Sequence, residues 1–555
     1  MTARSARRLQ WLGHAVLGIA VLMLCAYAYR ALLAQLPPVH ADEAGHVLPA
    51  ARMALALKHG DLGEFLAATR REVMWPFFHP WFITPFFLAC GIDTVVARTS
   101  SLVAFAAALC LVPAFAREIA RRDVGAAGGP ATEAAHATAG WLSVAVLVGS
   151  AQWLLICTVM SESLGMTLTL VTLLVEARSL RRGRLAEHAA CGVLAALTFF
   201  TKYSYGLPLM AAVLAAGIWR LGRHGWRAVI SRLLAMTLPV LLWLAWQLYP
   251  DLSRGSELLA AIVNRDEGLR GLAGLLFYPR TLLEWLGWPA ALVVLAALVV
   301  GVGRALRGRG LASALFVLFT LAMLTLHPNK QTRYVLMVFP VLLVLAETEL
   351  ALRLLRCVWR DALWIGIALV LVGDPVGAIR VQAEDAAQLR GAHAILDFIS
   401  AHVAPGQSVL CLGTTGRLPH FALSWQLLER DGREPQVDLL LFPGETGDDQ
   451  RYRSGYPTEM RPEYERALRE ALSGGLYVRV VTLEFAEGSP FLPDWLAKWD
   501  KWSQNYVRCM PLQDGWSLRA EQTFPGSGAR VRVYARRERG SGEVRPLHLV
   551  VGAGR

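Results

Sequence analysis

Long apolar runs separated by short basic clusters occupy the first two thirds of the chain, and a polar stretch of mixed periodicity follows them. The first run extends from Trp11 to about Leu36 and is preceded by Arg4, Arg7 and Arg8. It is too long for the apolar part of a cleaved leader, so it predicts an uncleaved first span with a cytoplasmic N-terminus. A loop to about Trp75 follows, with an interfacial helix predicted over Ala50 to Lys58. The prolines and aromatics of Pro76 to Phe87 suit a half-embedded helix at the membrane surface better than a full span. A second span is predicted over Thr99 to Ala116, with Arg117, Arg121 and Arg122 marking its cytoplasmic end.

Further basic clusters fall at Arg178 to Arg184, Arg220 to Arg227, Arg304 to Arg309 and Arg353 to Arg360, each about two spans from the next. Read as cytoplasmic, they give about eleven spans and place the C-terminus outside. The last span, Asp361 to Val372, is short. Beyond it the pattern predicts a helix over Ala392 to His402, a strand over Ser408 to Leu412, a helix over Phe421 to Arg430 and a strand over Gln436 to Phe442. A strand over Tyr477 to Phe485, an amphipathic helix over Asp494 to Arg508 and a hairpin between Trp516 and Ala535 complete it. The expected architecture is an α-helical polytopic membrane domain over residues 1–373 and an extracytoplasmic α/β domain over residues 374–555.

Composition agrees. Of 555 residues, 55% are hydrophobic and the mean hydropathy is +0.41, which excludes an ordinary soluble protein. The net charge of +12 does not indicate a nucleic-acid partner, because the arginines sit between apolar segments. The eight cysteines include no CxxC pair. Cys411 and Cys509, in the polar part, are compatible either with one disulfide or with two buried thiols.

Candidate chemistry gathers on the outer connections. The stretch from Val39 to His46 sets Asp42 and Glu43 between His40 and His46 at the exit of the first span, a position where acidic residues are disfavoured unless functional. His79, Glu162, Lys202, His327, Lys330 and Arg333 lie on the same predicted side, so a bundle brings acids beside cations fit for phosphate. Taken singly, Lys202 and Arg333 also suit snorkelling anchors, and His79 a helix cap. The run Leu410 to Gly416 offers a Gly-bounded turn after a strand, which suits an ordinary βα connection as well as a phosphate site. Trp495, Trp499, Trp502 and Tyr506 recur on one helical face and suit packing better than carbohydrate stacking.

The order of these motifs resembles the polytopic C superfamily of glycosyltransferases, in the branch of protein O-mannosyltransferases and the lipid A aminoarabinose transferase. The elements are the first span, the pair Asp42-Glu43, the stretch His79-Pro80-Trp81-Phe82, the region around Arg98, Glu162, and Lys330-Gln331-Thr332-Arg333-Tyr334. The chain departs from the family's pattern in Ala44-Gly45-His46 and in Trp81. The resemblance implies transfer of a sugar from a polyprenyl-phosphate donor to an extracytoplasmic acceptor, by single displacement at the plasma (inner) membrane. It carries the role of base over to Asp42, so that Asp42 and Glu43 are the expected catalytic pair, and Lys202, Arg333 and Lys330, with His79 and Glu162, are the candidates for substrate binding. It also implies a divalent metal in some members, for which His79, Glu43 and Glu162 are the candidate ligands here. The competing readings are a transporter or lipid flippase using the same charged cavity, and an envelope protein whose outer part binds a partner.

Overall fold

The computed structural model describes residues 41–72, 76–124, 161–249, 271–286, 298–303, 310–327, 332–354, 392–412, 420–432, 437–439, 477–485, 515–524 and 528–537, with a few single positions between them. The described helices in chain order are α1 (Ala41–Lys58), α2 (Leu62–Arg71), α3 (Phe78–Cys90), α4 (Thr94–Val124), α5 (Ser161–Arg182), α6 (Leu185–Thr201), α7 (Tyr203–Trp219), α8 (Leu221–Leu248), α9 (Gly271–Leu286), α10 (Leu311–Leu326) and α11 (Phe339–Leu354). The chain divides into two compact units. The first holds Met1–Ala34, Pro49–Gly91 and Val95–Val381; the second holds Gln35–Leu48, Ile92–Thr94 and Gln382–Arg555.

In the first unit, three segments among the described residues are long and apolar enough to cross a membrane: Thr94–Ile119, Ser161–Arg182 and Gly225–Leu248. The span expected over Thr99 to Ala116 is thus part of a longer helix. The 13-residue α3 reaches only about 20 Å at 1.5 Å per residue, well short of a hydrocarbon core. The expected first span (Trp11 to Leu36) and the last (Asp361 to Val372) lie outside the described residues.

One expectation is corrected. Ala50 to Lys58 is the C-terminal part of α1, and Ala50, Ala51, Met53, Ala54 and Ala56 are buried rather than lying on a lipid surface. Their small side chains suit close packing. On α2, Leu62 and Leu66, one turn apart, are exposed.

Small residues set how closely the helices of this unit approach, as expected where lipid tails are as apolar as the side chains. A Cβ on Gly192 of α6 would stand 2.4 Å from the carbonyl oxygen of Arg232 on α8, and one on Gly206 of α7 would stand 2.1 Å from Cα of Phe199 on α6. Behind these contacts Phe199, Phe200, Tyr203 and Trp243 form an aromatic core. Toward the cytoplasmic end expected from the arginine clusters, a second buried polar network joins the helices. Arg220 pairs with Glu176 at 3.2 Å, while Arg232 contacts Ser179 Oγ at 3.2 Å and His188 Nδ1 at 2.8 Å and donates to the Val213 carbonyl at 3.1 Å.

The second unit contains a five-stranded sheet in the order β2-β1-β3-β5-β4, built from β1 (Val409–Leu412), β2 (Val437–Leu439), β3 (Arg479–Phe485), β4 (Trp516–Phe524) and β5 (Ala529–Arg536). The first three strands run parallel and β4 and β5 form an antiparallel hairpin, with a bulge between Leu518 and Ala520. Alternation decides the faces. Val531 and Val533 of β5 are buried with Val409, Val481, Leu483 and the Ile395, Leu396 and Ile399 face of the helix Ala392–Ala401. On the opposite face Arg530 and Arg532 bond Glu521 and hold its carboxyl below the usual range. The helix His420–Asp431 lends Arg430, whose guanidinium donates to the carbonyls of Ser400 and Val403 at the end of the helix before β1. Cys411 is buried in β1. Cys509, Gly413 to Gly416 and the expected helix Asp494 to Arg508 lie outside the described residues.

Substituting Gly192→Val is expected to lower stability by about 1–3 kcal/mol through overpacking against the backbone of α8. Gly222, with open space around its Cβ position, serves as the control. Thermal unfolding in detergent checks this: Gly192→Val melts several degrees lower and Gly222→Ala does not.

Candidate active site

Glu162 is the second residue of α5, where the positive end of the helix dipole favours a carboxylate. It is 1% exposed, and a charge so deep needs partners. They come from two directions. Lys202 Nζ lies 2.7 Å from Glu162 Oε1, and Arg333 Nε lies 3.8 Å from the same oxygen.

The local sequence explains how each cation gets there. Lys202 is a single extended residue, φ −162° and ψ 125°, between two helices. Its N–H donates to the Thr198 carbonyl and closes α6, and its own carbonyl accepts from Tyr205 and Gly206 and opens α7. The side chain therefore stands at the tip of a tight αα-hairpin whose closeness Gly206 permits. Arg333 belongs to a short 3-10 turn, Thr332–Val335, leading into α11.

Aromatic rings complete the enclosure. Lys202 Nζ sits 4.9 Å from the ring centres of both Tyr205 and Tyr334, and the Arg333 guanidinium carbon lies 5.8 Å from Tyr334. Such contacts contribute up to about 2 kcal/mol when desolvated. The Tyr205 ring reaches this position because residue 165, one turn after Glu162, is glycine: a Cβ there would be 2.5 Å from Tyr205 Cδ2. His79, buried in the first turn of α3, is close enough for Glu162 and Lys202 to act on it electrostatically. The Lys202 side chain is 10% exposed and that of Arg333 18%, so the cluster opens on its arginine side.

Of the residues singled out from sequence, His79, Glu162, Lys202 and Arg333 are thus brought together. Asp42 and Glu43 lie in the first turn of α1 rather than in a loop, and Glu43 is buried. The Asp42 side chain and Lys330 lie outside the described residues. No group of three or more His, Cys, Asp or Glu side chains among the described residues is arranged to hold a metal. Sequence reasoning missed Tyr205 and Gly165, whose only signal is helical spacing, each lying three residues after a charged site residue.

No family model matches the chain, and no curated protein matches it in sequence. Among solved structures, ArnT from Cupriavidus metallidurans in the apo state matches over 94% of this chain and 98% of its own, with 14% identity and a TM-score of 0.54. The same protein bound to undecaprenyl phosphate matches over 93% and 97%, with 13% identity and a TM-score of 0.54. The apo oligosaccharyltransferase of Archaeoglobus fulgidus matches over 84% and 69%, with 12% identity and a TM-score of 0.50. The chain accordingly shares its fold with these proteins, and three of its described helices are long and apolar enough to cross a membrane.

Replacing Lys202 by Met leaves Glu162 buried beside a single, more distant cation. Loss of one partner of a buried pair costs about 3–5 kcal/mol, with Arg333 offsetting part of it here. Adding Glu162→Gln removes the stranded charge and is expected to recover part of the loss. Melting temperatures of the two single variants and the double variant measure the coupling; strictly additive losses would exclude it.

Proposed function

We propose that the protein is an integral membrane glycosyltransferase that moves a sugar from a polyprenyl-phosphate-linked donor to an acceptor hydroxyl outside the cytoplasm. The observation that carries this reading is the buried cluster of Lys202 and Arg333 around Glu162, in a fold shared with a protein solved bound to undecaprenyl phosphate.

The reaction is an inverting single displacement. The acceptor oxygen attacks the anomeric carbon and loses its proton to Asp42, while the bond from that carbon to the phosphate oxygen breaks and the lipid phosphate departs with the electron pair. A phosphate leaving group needs cations rather than a proton donor, which is why one base and a clamp suffice. Lys202 and Arg333 supply the clamp, Arg333 with the bidentate geometry of its fork, and Lys330 adds a third cation. His79 borders the same cluster. Glu43 supports Asp42 without sharing its role, since adjacent helical positions lie about 100° apart around the axis. The arrangement that goes with this reaction is about eleven spans, a cytoplasmic N-terminus and an extracytoplasmic C-terminal domain in the plasma membrane.

Asp42→Asn is expected to lower transfer about 10²- to 10⁴-fold while leaving the protein folded. The measurement is label transfer from a panel of polyprenyl-phosphate sugars into endogenous acceptors, in membranes carrying either form. Equal transfer by the two forms rules out Asp42 as the base, and no transfer by the native form across the panel rules out the activity.

A further inference from the structure

At one end of the five-stranded sheet, arginines gather without an acid to meet them. Arg479 opens β3 and Ser517 lies in the first residues of β4; both are in register with Ala535 of β5, so the three share one face. β4 is the edge strand, and its register shifts between Leu518 and Ala520. Arg519 is therefore the extra residue of a bulge, a device that re-aims a side chain at a sheet edge. Arg537 follows β5 at the same end, where its backbone N–H donates to the Gly515 carbonyl at 2.7 Å and carries the hairpin one residue further.

The Arg479 guanidinium is fixed by the backbone around it. Its Nε donates to the His402 carbonyl and its Nη1 to the Val478 carbonyl, both at 3.2 Å, which leaves Nη2 unused among the described residues. Arg519 and Arg537 are exposed, and their guanidiniums bond nothing among the described residues. The single acid of β4, Glu521, is bonded to Arg530 and Arg532 instead. Burial, and after it the charge of Arg519, pulls Arg479 below its ordinary value, so the two guanidiniums stand close enough to repel. Like charges held together without compensation are relieved when an anion enters.

We infer that Arg479, Arg519 and Arg537 form an anion site on the second unit that takes a phosphomonoester. The site belongs to a different unit from the Glu162 cluster and does not depend on the transfer reaction. Guanidinium forks match a pair of phosphate oxygens, and a phosphomonoester near neutral pH brings about −1.5 to −2 of charge and three acceptor oxygens, where a carboxylate brings a single charge and two. The small side chains of Ala535 and Ser517 leave room beside Arg479 for a tetrahedral group. Free phosphate and a phosphorylated saccharide present the same group.

The full-length protein, purified in detergent at low salt, is titrated calorimetrically with inorganic phosphate, a glucose monophosphate, glucuronate and glucose. The two phosphates are expected to bind roughly tenfold or more tightly than glucuronate, and glucose not to bind. Arg519→Gln is expected to weaken both phosphates by roughly tenfold, the loss of one charged hydrogen bond. Arg519 is exposed and bonds nothing among the described residues, so its variant keeps the fold; Arg537→Gln repeats the test at the third arginine. Tighter binding of the glucose monophosphate than of inorganic phosphate supports the site and names a phosphorylated saccharide as its ligand, whereas equal binding supports it with phosphate alone recognised. Absence of phosphate binding by the folded native protein overturns the inference, as does binding that both folded variants leave unchanged. Equal affinity for glucuronate and the phosphates also overturns it, since that marks an unspecific basic surface.

Discussion

A carboxylate withdrawn from water is the constraint around which the first unit is organised. Glu162 is almost wholly buried, and an isolated anion at that depth is untenable without compensating charge. Lys202 at 2.7 Å and Arg333 at 3.8 Å provide it. Each arrives on a piece of irregular backbone, Lys202 on one extended residue and Arg333 on a 3-10 turn. Breaks in helices within a membrane protein are tolerated where they line a protected polar site, and this site is where the two breaks converge. For the transfer reaction proposed above, the same enclosure that makes the charges costly to hold would strengthen their hold on a phosphate, because little water competes for them.

Holding that geometry requires helices that approach closely at defined places. Gly192 and Gly206 let α6 meet α8 and α7 at backbone distance, and Gly165 makes room for the tyrosine that covers Lys202. Some fourteen residues along α5 from Glu162, about 21 Å away, Glu176 pairs with Arg220, beside a fully buried Arg232. α5 is therefore pinned by ion pairs toward both ends. Packing alone supplies little orientation between apolar helices, whereas paired charges have a single register in which both are satisfied.

The second unit follows different rules. Its sheet is stabilised by alternation: the valines of β5 join the core and its arginines stay on the other face. β1 is a continuous apolar run, as a strand inside the parallel part of the sheet requires, whereas β5 alternates buried and more exposed positions.

Elements with a strong period were legible in the chain before any coordinates. The apolar runs at Ser161–Arg182 and Gly225–Leu248, the strands at Val409–Leu412 and Arg479–Phe485 and the terminal hairpin all appear close to where periodicity puts them, because burial selects side chains directly. Local signals failed where tertiary context decided. The alanines of α1 look like a surface helix from their neighbours but are buried by packing that no local window contains. The charged residues His79, Glu162, Lys202 and Arg333 were visible as expensive residues at helix ends, and the fold shared with ArnT of Cupriavidus metallidurans was legible in the order of those motifs. The tertiary structure alone decided that one carboxylate serves two cations, that Tyr205 and Tyr334 enclose Lys202, and that Arg220, at the junction of α7 and α8, pairs with a buried glutamate. Residue type and spacing report what each segment buries; which charges meet depends on distances between segments far apart in the chain, and those exist only once the helices have packed.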